Sequence, residues 1–309
     1  MTGTDLSVKV SEYLQVRRAL GYRLERSELL LRQFVDYCAT HGQTELTIDV
    51  AVNWATLPKA SPGWGGQRLS VVRCFASWLQ ASVPGTEVPP IDVLPARNRR
   101  AVPYLYTDAE VAALMAAARH LRWPLQQLTY ETLVGLLAVT GMRLGEATSL
   151  DREDVDLVSG LLVVRNAKFG KSRQLSLHPS TIGALRRYSR RRDQLCPSPR
   201  SNNFLLSSAG TKLVHCNVGQ SFRKMARLAG LVPRSARCRP RIHDFRHSFA
   251  VRTLVDWHRA GADVQALLPL LSTWMGHVDP KATYWYLSAA PELLGAAAAR
   301  LEQTFEGGR

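Results

Sequence analysis

Apolar side chains recur along the first hundred residues at intervals of three or four, which is the spacing of one helix face. The helices predicted from this pattern cover about 29–38, 48–54 and 68–79. The first of them ends near Gly42, and the last carries Arg68 and Arg73 away from its apolar side. The Pro-Gly segment 61–66 is predicted to be a turn. The region is therefore expected to form a small helical bundle.

The composition changes between residues 83 and 103. Prolines become frequent there, and a basic run containing Arg97, Arg99 and Arg100 follows them. Because proline restricts the backbone and removes a hydrogen-bond donor, the segment is predicted to be a linker with a basic end. The expected organisation is a helical domain at 1–95, a linker at 96–106 and a second domain at 107–309.

The second domain is predicted to be mostly helical. Thr107 followed by Glu110 is typical of a capped helix start, and an apolar helix at about 125–140 stops at Gly141. Two short β-like runs, 161–164 and 174–177, flank a lysine-containing tip and predict a hairpin. Further helices are predicted at about 179–193, 217–229, 243–258, 263–275, 281–287 and from about 291. The expected fold class is mainly α with a small antiparallel β-sheet in the second domain.

The net charge of the chain indicates the kind of partner that it binds. The chain has 40 Lys and Arg against 25 Asp and Glu, which gives a net charge of +15. Such an excess favours a polyanionic partner, most simply nucleic acid, although charge alone leaves open a basic protein that is merely soluble. The basic residues predicted to contact DNA are Arg68, Arg73, Arg97, Arg99, Arg100, Lys171, Arg239 and Arg241.

Neither a metal site nor a membrane segment is expected. The five cysteines form no C-x-x-C pair and indicate reduced thiols, and His215, Cys216 and Cys238 match no common zinc spacing. The N-terminus lacks the layout of a signal peptide, and no apolar run reaches the about 18–20 residues that cross a bilayer. The predicted location is the cytoplasm, with no metal and no other cofactor.

Three short motifs in the second domain carry cationic or phenolic side chains. Each has a structural explanation if taken alone: a surface ion pair, a capped helix start, and aromatic core residues. They are Arg143 with Glu146 in TGMRLGE, His243 with Arg246 in HDFR, and His277 followed nine residues later by Tyr286. Together with a lysine of the hairpin tip, they supply what phosphodiester transesterification needs.

That requirement follows from the chemistry at phosphorus. The transition state carries extra negative charge on the non-bridging oxygens, and two guanidinium groups match it through paired hydrogen bonds. The leaving 5′-oxygen needs a proton, which a lysine can bring. The tyrosine hydroxyl, with an ordinary pKa of about 10, needs an acceptor for its own proton.

In order and spacing, these motifs resemble the tyrosine recombinase/integrase family across the whole second domain. The resemblance implies catalytic roles for Arg143, Lys168, His243, Arg246 and His277, with Tyr286 as the nucleophile and Glu146 as the acidic neighbour of the first arginine. Lys171 and Tyr284 fit less well than Lys168 and Tyr286. The segment GGQRLSVVRCFASWL also looks like the family's core-binding domain, and the sequence is similar to integrases of bacterial mobile elements.

The resemblance also implies a mechanism in which two domains close around duplex DNA. Tyr286 would attack the scissile phosphate to give a 3′-phosphotyrosyl enzyme and a free 5′-hydroxyl, while the two arginines stabilise the developing charge. Lys168 would protonate the leaving oxygen, His243 would accept the tyrosine proton or position the phosphate, and His277 would donate a further hydrogen bond. Neither ATP nor metal is expected.

The implied assembly is a dimer on each DNA site and a tetramer in the synapse, formed with copies of the chain or with other recombinases of the same element. An apolar strip after Pro291 is expected to pack either against its own protomer or against a neighbouring protomer. Two alternatives stay open: a type IB topoisomerase, and a DNA-binding accessory protein that has kept the fold without turnover.

Overall fold

The computed structural model describes residues 5–22, 24–57, 62–94, 101–165, 172–277, 279 and 281–289. Its contacts divide the chain into two compact units, Met1–Ala101 and Val102–Arg309. Each unit has its own hydrophobic core. None of the described helices is both long and apolar enough to cross a membrane.

The first unit is a bundle of helices. They are α1 (Leu6–Ala19), α2 (Glu25–Thr40), α3 (Ile48–Thr56) and α4 (Pro62–Leu79). Large side chains from different helices meet in its centre, where the rings of Phe34 and Trp54 pack edge to face at 5.2 Å. The apolar stripes recognised in the sequence are the faces that line this core.

The predicted turn at 61–66 is wrong, because α4 begins at Pro62. Proline is well suited to the first turn of a helix, where its missing N–H has no partner to lose. Gly65 lies inside α4, and a Cβ there would stand 3.3 Å from the carbonyl oxygen of Ala55. The glycine therefore permits a close approach of α4 to α3 rather than a chain reversal.

The second unit combines helices with one small sheet, which confirms the predicted fold class. The helices are α5 (Asp108–Ala118), α6 (Pro124–Thr140), α7 (Leu144–Ala147), α8 (Pro179–Leu195), α9 (His215–Leu228), α10 (Asp244–Arg259), α11 (Val264–Met275) and α12 (Lys281–Ala289). The strands β1 (Val155–Asp156), β2 (Leu161–Val164) and β3 (Arg173–Ser176) pair antiparallel in that order. The predicted hairpin is the β2–β3 pair, and β1 adds a strand that the sequence did not reveal.

The end of α6 fixes the geometry around it. Gly141 closes the helix with φ +62°, a left-handed conformation that favours glycine. A Cβ at this position would lie 2.4 Å from the ring of Phe249 on α10, so only glycine fits. The close approach brings the carbonyl oxygen of Gly141 within reach of side chains on α10.

Candidate active site

Glu146 lies between two arginines that come from different elements. Arg143 precedes α7, and its Nη1 donates to Glu146 Oε1 at 2.8 Å while its backbone N–H donates to Oε2 at 2.8 Å. Arg173 at the start of β3 donates from Nη2 to Oε2 at 2.8 Å and from Nη1 to Oε1 at 3.2 Å. The contact expected from the spacing of Arg143 and Glu146 is present. The second arginine was not predicted.

This pairing keeps the Glu146 carboxyl ionised. Burial alone would raise its pKa, but the hydrogen bonds from Arg173 and from Arg143 outweigh that effect and lower the pKa to about 2. Because folding lowers this pKa, ionised Glu146 stabilises the folded state above its ordinary pKa near 4.5, and the contribution is lost as the pH falls toward about 2.

Replacing Glu146 with glutamine is expected to lower the free energy of unfolding at pH 7 by up to about 3 kcal/mol, because two partly buried arginines lose their counter-charge. The difference from wild type should shrink as the pH falls from about 5 toward 2, because the carboxyl of the unfolded wild-type chain takes up a proton near its ordinary pKa while the folded carboxyl stays ionised until about pH 2. Urea unfolding of both proteins across this range measures it. A gap that stays constant with pH would contradict the assignment.

Arg246 is buried, with 3% of its surface exposed. Its Nη1 donates to the carbonyl of Gly141 at 2.8 Å and its Nη2 to the carbonyl of Met275 at 2.6 Å. Burial, followed by the nearby charge of Arg143, lowers its pKa to about 10, so the group stays positive at neutral pH. The side chain is held by neutral carbonyls, and its charge is left to interact with an anion.

The segment that ends α11 joins these arginines to His277. Arg143 Nη2 donates to the carbonyl of Gly276 at 3.0 Å, one residue after the carbonyl of Met275 that holds Arg246. Gly276 has φ +64°, and a Cβ there would lie 2.6 Å from Arg173 Nη1. The two predicted catalytic arginines are thus fastened to consecutive carbonyls, and His277 follows directly.

His277 is a neutral hydrogen-bonding group in this setting. Burial and the positive charges of Arg246 and Arg143 lower its pKa to about 4. Its Nδ1 lies 2.6 Å from the hydroxyl oxygen of Thr283. When the threonine hydroxyl donates to Nδ1, the ring carries its proton on Nε2 and can donate there.

Tyr286 projects from α12 into the same region and is 3% exposed. Its ring stacks on that of His277, with centroids 6.3 Å apart and an interplanar angle of 15°. Its hydroxyl oxygen lies 3.1 Å from Nδ1 of His247. Tyr284, the less suitable candidate from the sequence, is 52% exposed. The structure therefore places Tyr286 beside the cationic groups.

His243 stands at the start of α10, one helical turn from His247, and the two rings meet edge to face at 5.2 Å. The residue as a whole is exposed, yet burial of its ring and the charge of Arg246 lower its pKa. Two roles were expected for His243, but the imidazole observed against the Tyr286 hydroxyl is that of His247. Sequence reasoning missed His247, although it directly follows Arg246 in HDFRH.

Several predicted residues lie outside the described part of the chain. They are Lys168, Lys171, Arg97, Arg99 and Arg100, together with the helix expected from about 291. Among the described residues, no group of three or more His, Cys, Asp or Glu side chains could hold a metal ion.

The predicted surface position of Arg68 is wrong, because the residue is only 6% exposed. Its guanidinium lies over the ring of Trp54 at 3.9 Å, so an aromatic neighbour covers a position that the helical pattern put outside the core. Its Nε has no hydrogen-bond acceptor in the described structure. Arg73 donates to the carbonyls of Pro89 and Pro90 at 2.6 and 2.7 Å and so holds the chain that follows α4.

Arg239 and Arg241 precede α10 in the second unit. Arg239 is exposed. Arg241 is partly exposed and donates from Nε and Nη2 to the two carboxylate oxygens of buried Asp244, at 2.9 and 2.7 Å. This ion pair fastens the start of the helix that carries His243, Arg246 and His247.

Comparison with known proteins decides the family. Residues 105–292 match the sequence model of the phage integrase family. The chain belongs to this family. As a member, it is a tyrosine recombinase, an enzyme that transfers DNA strands. The match spans every predicted catalytic residue, including those that the structure brings together.

Relatives of the recombinase extend the match beyond that region. The protein y4rB of Sinorhizobium fredii, named as an integrase/recombinase, is 40% identical over 304 residues, covering 96% of this chain and 97% of the relative. The tyrosine recombinase XerC of Alcanivorax borkumensis is 30% identical over 218 residues, covering 71% and 66%. The Tn1549 transposon integrase, solved with a circular intermediate DNA, has the same fold with a TM-score of 0.65, 19% identity and coverage of 97% and 99%.

Proposed function

We propose that the protein is the site-specific recombinase of a mobile element and that it exchanges DNA strands through a 3′-phosphotyrosyl bond on Tyr286. One observation carries this proposal. Arg143 and Arg246 donate to consecutive carbonyls just before His277, and the ring of Tyr286 stacks on that histidine. The nearness of two cations, a neutral donor and a phenol to one short segment supports a shared binding position for a phosphate.

In the proposed reaction, Tyr286 Oη forms a bond to phosphorus while the bond from phosphorus to the 5′-oxygen breaks. Arg143 and Arg246 stabilise the charge that develops on the non-bridging oxygens. Lys168 supplies the proton for the leaving oxygen, and His277 donates a hydrogen bond to the phosphate. A 5′-hydroxyl from a partner strand reverses these steps.

The proposed reaction needs no high-energy cofactor, because the energy of the broken phosphodiester bond is kept in the phosphotyrosine bond. One phosphodiester is exchanged for a phosphotyrosine ester of similar energy, and that ester is then exchanged for a new phosphodiester. The reaction therefore needs no ATP. The arginines occupy the place of a metal ion as the source of positive charge at phosphorus, so we also propose that no metal is required.

Duplex DNA is the proposed partner. The net charge of +15 supports it, as does the exposed Arg239. We propose that two protomers bind each recombination site and four form the synapse. The residues after Pro291, with an apolar strip at helical spacing, are the proposed contact between protomers.

A suicide substrate tests the proposal. It is a duplex from the ends of the parent mobile element, nicked beside the crossover so that the cleaved strand diffuses away and religation fails. In the presence of EDTA, wild-type protein is expected to form a denaturant-stable DNA adduct, and peptide mapping is expected to find the DNA on Tyr286.

Other outcomes point to other proteins. Cleavage that EDTA abolishes would contradict the metal-free mechanism, and an adduct on another residue would contradict the nucleophile. Relaxation of plasmid DNA without sequence preference would indicate a type IB topoisomerase. Tight binding without an adduct would indicate an accessory protein.

A further inference from the structure

The imidazole of His247 is the group that meets the hydroxyl of Tyr286. Its Nδ1 lies 3.1 Å from Tyr286 Oη, which is hydrogen-bond distance, and the two ring centroids are 5.5 Å apart. His247 is held on α10 and Tyr286 on α12, and α12 also packs against α10 and α11. The contact therefore joins two helices of one protomer.

The other two histidines of the site have different neighbours. Nδ1 of His277 is engaged by Thr283 at 2.6 Å, and its ring lies parallel to that of Tyr286 rather than pointing at the hydroxyl. His243 meets the edge of the His247 ring with centroids 5.2 Å apart. Of the three imidazoles, His247 has the nitrogen that is placed to take a proton from the phenol.

We propose that His247 is a catalytic residue that accepts the proton of Tyr286 during strand cleavage, an inference that rests on the proposed recombinase function. In this assignment, Nδ1 is unprotonated in the resting enzyme and the ring carries its proton on Nε2. The phenol donates its hydrogen bond to Nδ1. His243 is left to position the phosphate.

The step balances without any further reactant. As Tyr286 Oη forms its bond to phosphorus, the phenolic proton moves to His247 Nδ1 and makes the ring a cation. The bond from phosphorus to the 5′-oxygen breaks, and that oxygen takes a proton from a general acid, proposed above as Lys168. In religation, the incoming 5′-hydroxyl gives its proton to the now neutral amine of Lys168 as its oxygen bonds to phosphorus, and the imidazolium returns its proton to the departing tyrosine oxygen.

The test compares His247→Gln with wild type in single-turnover cleavage of two substrates. On ordinary DNA, the variant is expected to cleave about 10²–10⁴-fold more slowly, because general-base assistance is lost. In the second substrate, sulfur replaces the bridging 5′-oxygen. A thiolate leaves without protonation, so this substrate no longer needs an acid but still needs the base.

The cleavage deficit of His247→Gln is therefore expected to persist on the sulfur substrate, whereas Lys168→Ala is expected to recover there. If sulfur restores His247→Gln, His247 acts on the leaving group and the proposal is overturned. His258→Gln removes an imidazole three turns further along α10 and is the matched control, expected to cleave at the wild-type rate on both substrates.

Two further measurements separate proton transfer from positioning. His247→Asn keeps an acceptor oxygen near the place of Nδ1 but cannot take a proton, so it is expected to be as slow as His247→Gln. Wild-type cleavage rates in the Asn variant would overturn the proposal. Nitrogen NMR of the histidines in the wild-type protein is expected to show an unprotonated Nδ1 at residue 247, and a protonated Nδ1 would overturn it even if both variants fail to fold.

Failure of this inference differs from failure of the proposed function. If wild-type protein forms no adduct on Tyr286 with any suicide substrate, the proposed function is wrong. If wild type forms the adduct and His247→Gln forms it at the same rate, the recombinase assignment stands and only the role of His247 is lost.

Discussion

Replacing Tyr286 with phenylalanine is expected to abolish the covalent protein–DNA complex while leaving DNA affinity unchanged. The substitution removes one oxygen and keeps the buried ring that stacks on His277. The folded state loses the contact of the hydroxyl with His247, a hydrogen bond worth about 1 kcal/mol. Denaturing gels measure the adduct on a suicide substrate, and gel shifts measure binding.

The chain offers a matched control two residues away. Tyr284 on the same helix is 52% exposed, and Tyr284→Phe removes the same oxygen from a phenol that points elsewhere. This control is expected to form the adduct at the wild-type rate. Adduct formation by Tyr286→Phe, or its loss in Tyr284→Phe, would mean that the nucleophile has been misassigned.

Elements that are fixed by local chemistry could be predicted from the sequence. The end of α6 at Gly141 was predictable because a left-handed position after a helix favours glycine. The β2–β3 hairpin followed from two short β-like runs around a polar tip. The start of α4 was not predictable from residue type, because Pro62 and Gly65 serve a helix start and a close helix contact as readily as they serve a turn.

Contacts between elements that are far apart in the sequence limit how much of the candidate site could be predicted. Arg143 and Glu146 are three residues apart, and this spacing was enough to predict their contact. The second partner of Glu146, Arg173, lies 27 residues away on β3, a strand that packs against α11, and only this tertiary arrangement brings the two side chains together. The contact of His247 with Tyr286 could not be predicted for the same reason. It depends on how α12 packs against α10.

The same limit explains the error at Arg68. A helical pattern identifies the side of α4 that carries most of the apolar residues, and the arginine lies off that side. The pattern cannot show that Trp54 of α3 reaches over to stack on the guanidinium. The spacing of apolar residues therefore cannot reveal that an aromatic ring covers a cationic side chain. The contribution of Arg68 to the net charge does not depend on its burial.

The way in which the arginines are held also has a chemical consequence. Glu146 neutralises part of the charge of Arg143 and Arg173, whereas Arg246 donates to the carbonyls of Gly141 and Met275. A carbonyl orients a guanidinium without cancelling its charge. Arg246 is therefore expected to contribute more to stabilising a phosphorane-like transition state than an arginine paired with a carboxylate.

Replacing Arg246 with lysine is accordingly expected to slow cleavage by at least about 10²–10³-fold at unchanged ionic strength. An ammonium group cannot span the carbonyls of Gly141 and Met275 and also present paired donors to phosphate, and burial lowers the pKa of a lysine more readily than that of an arginine. Single-turnover cleavage measures the rate, and gel shifts check binding. Arg252→Lys on the same helix alters only a partly exposed ion pair with Asp108 and is expected to cleave within about twofold of wild type. An Arg246→Lys enzyme that cleaves as fast as this control would show that the transition-state charge is balanced elsewhere.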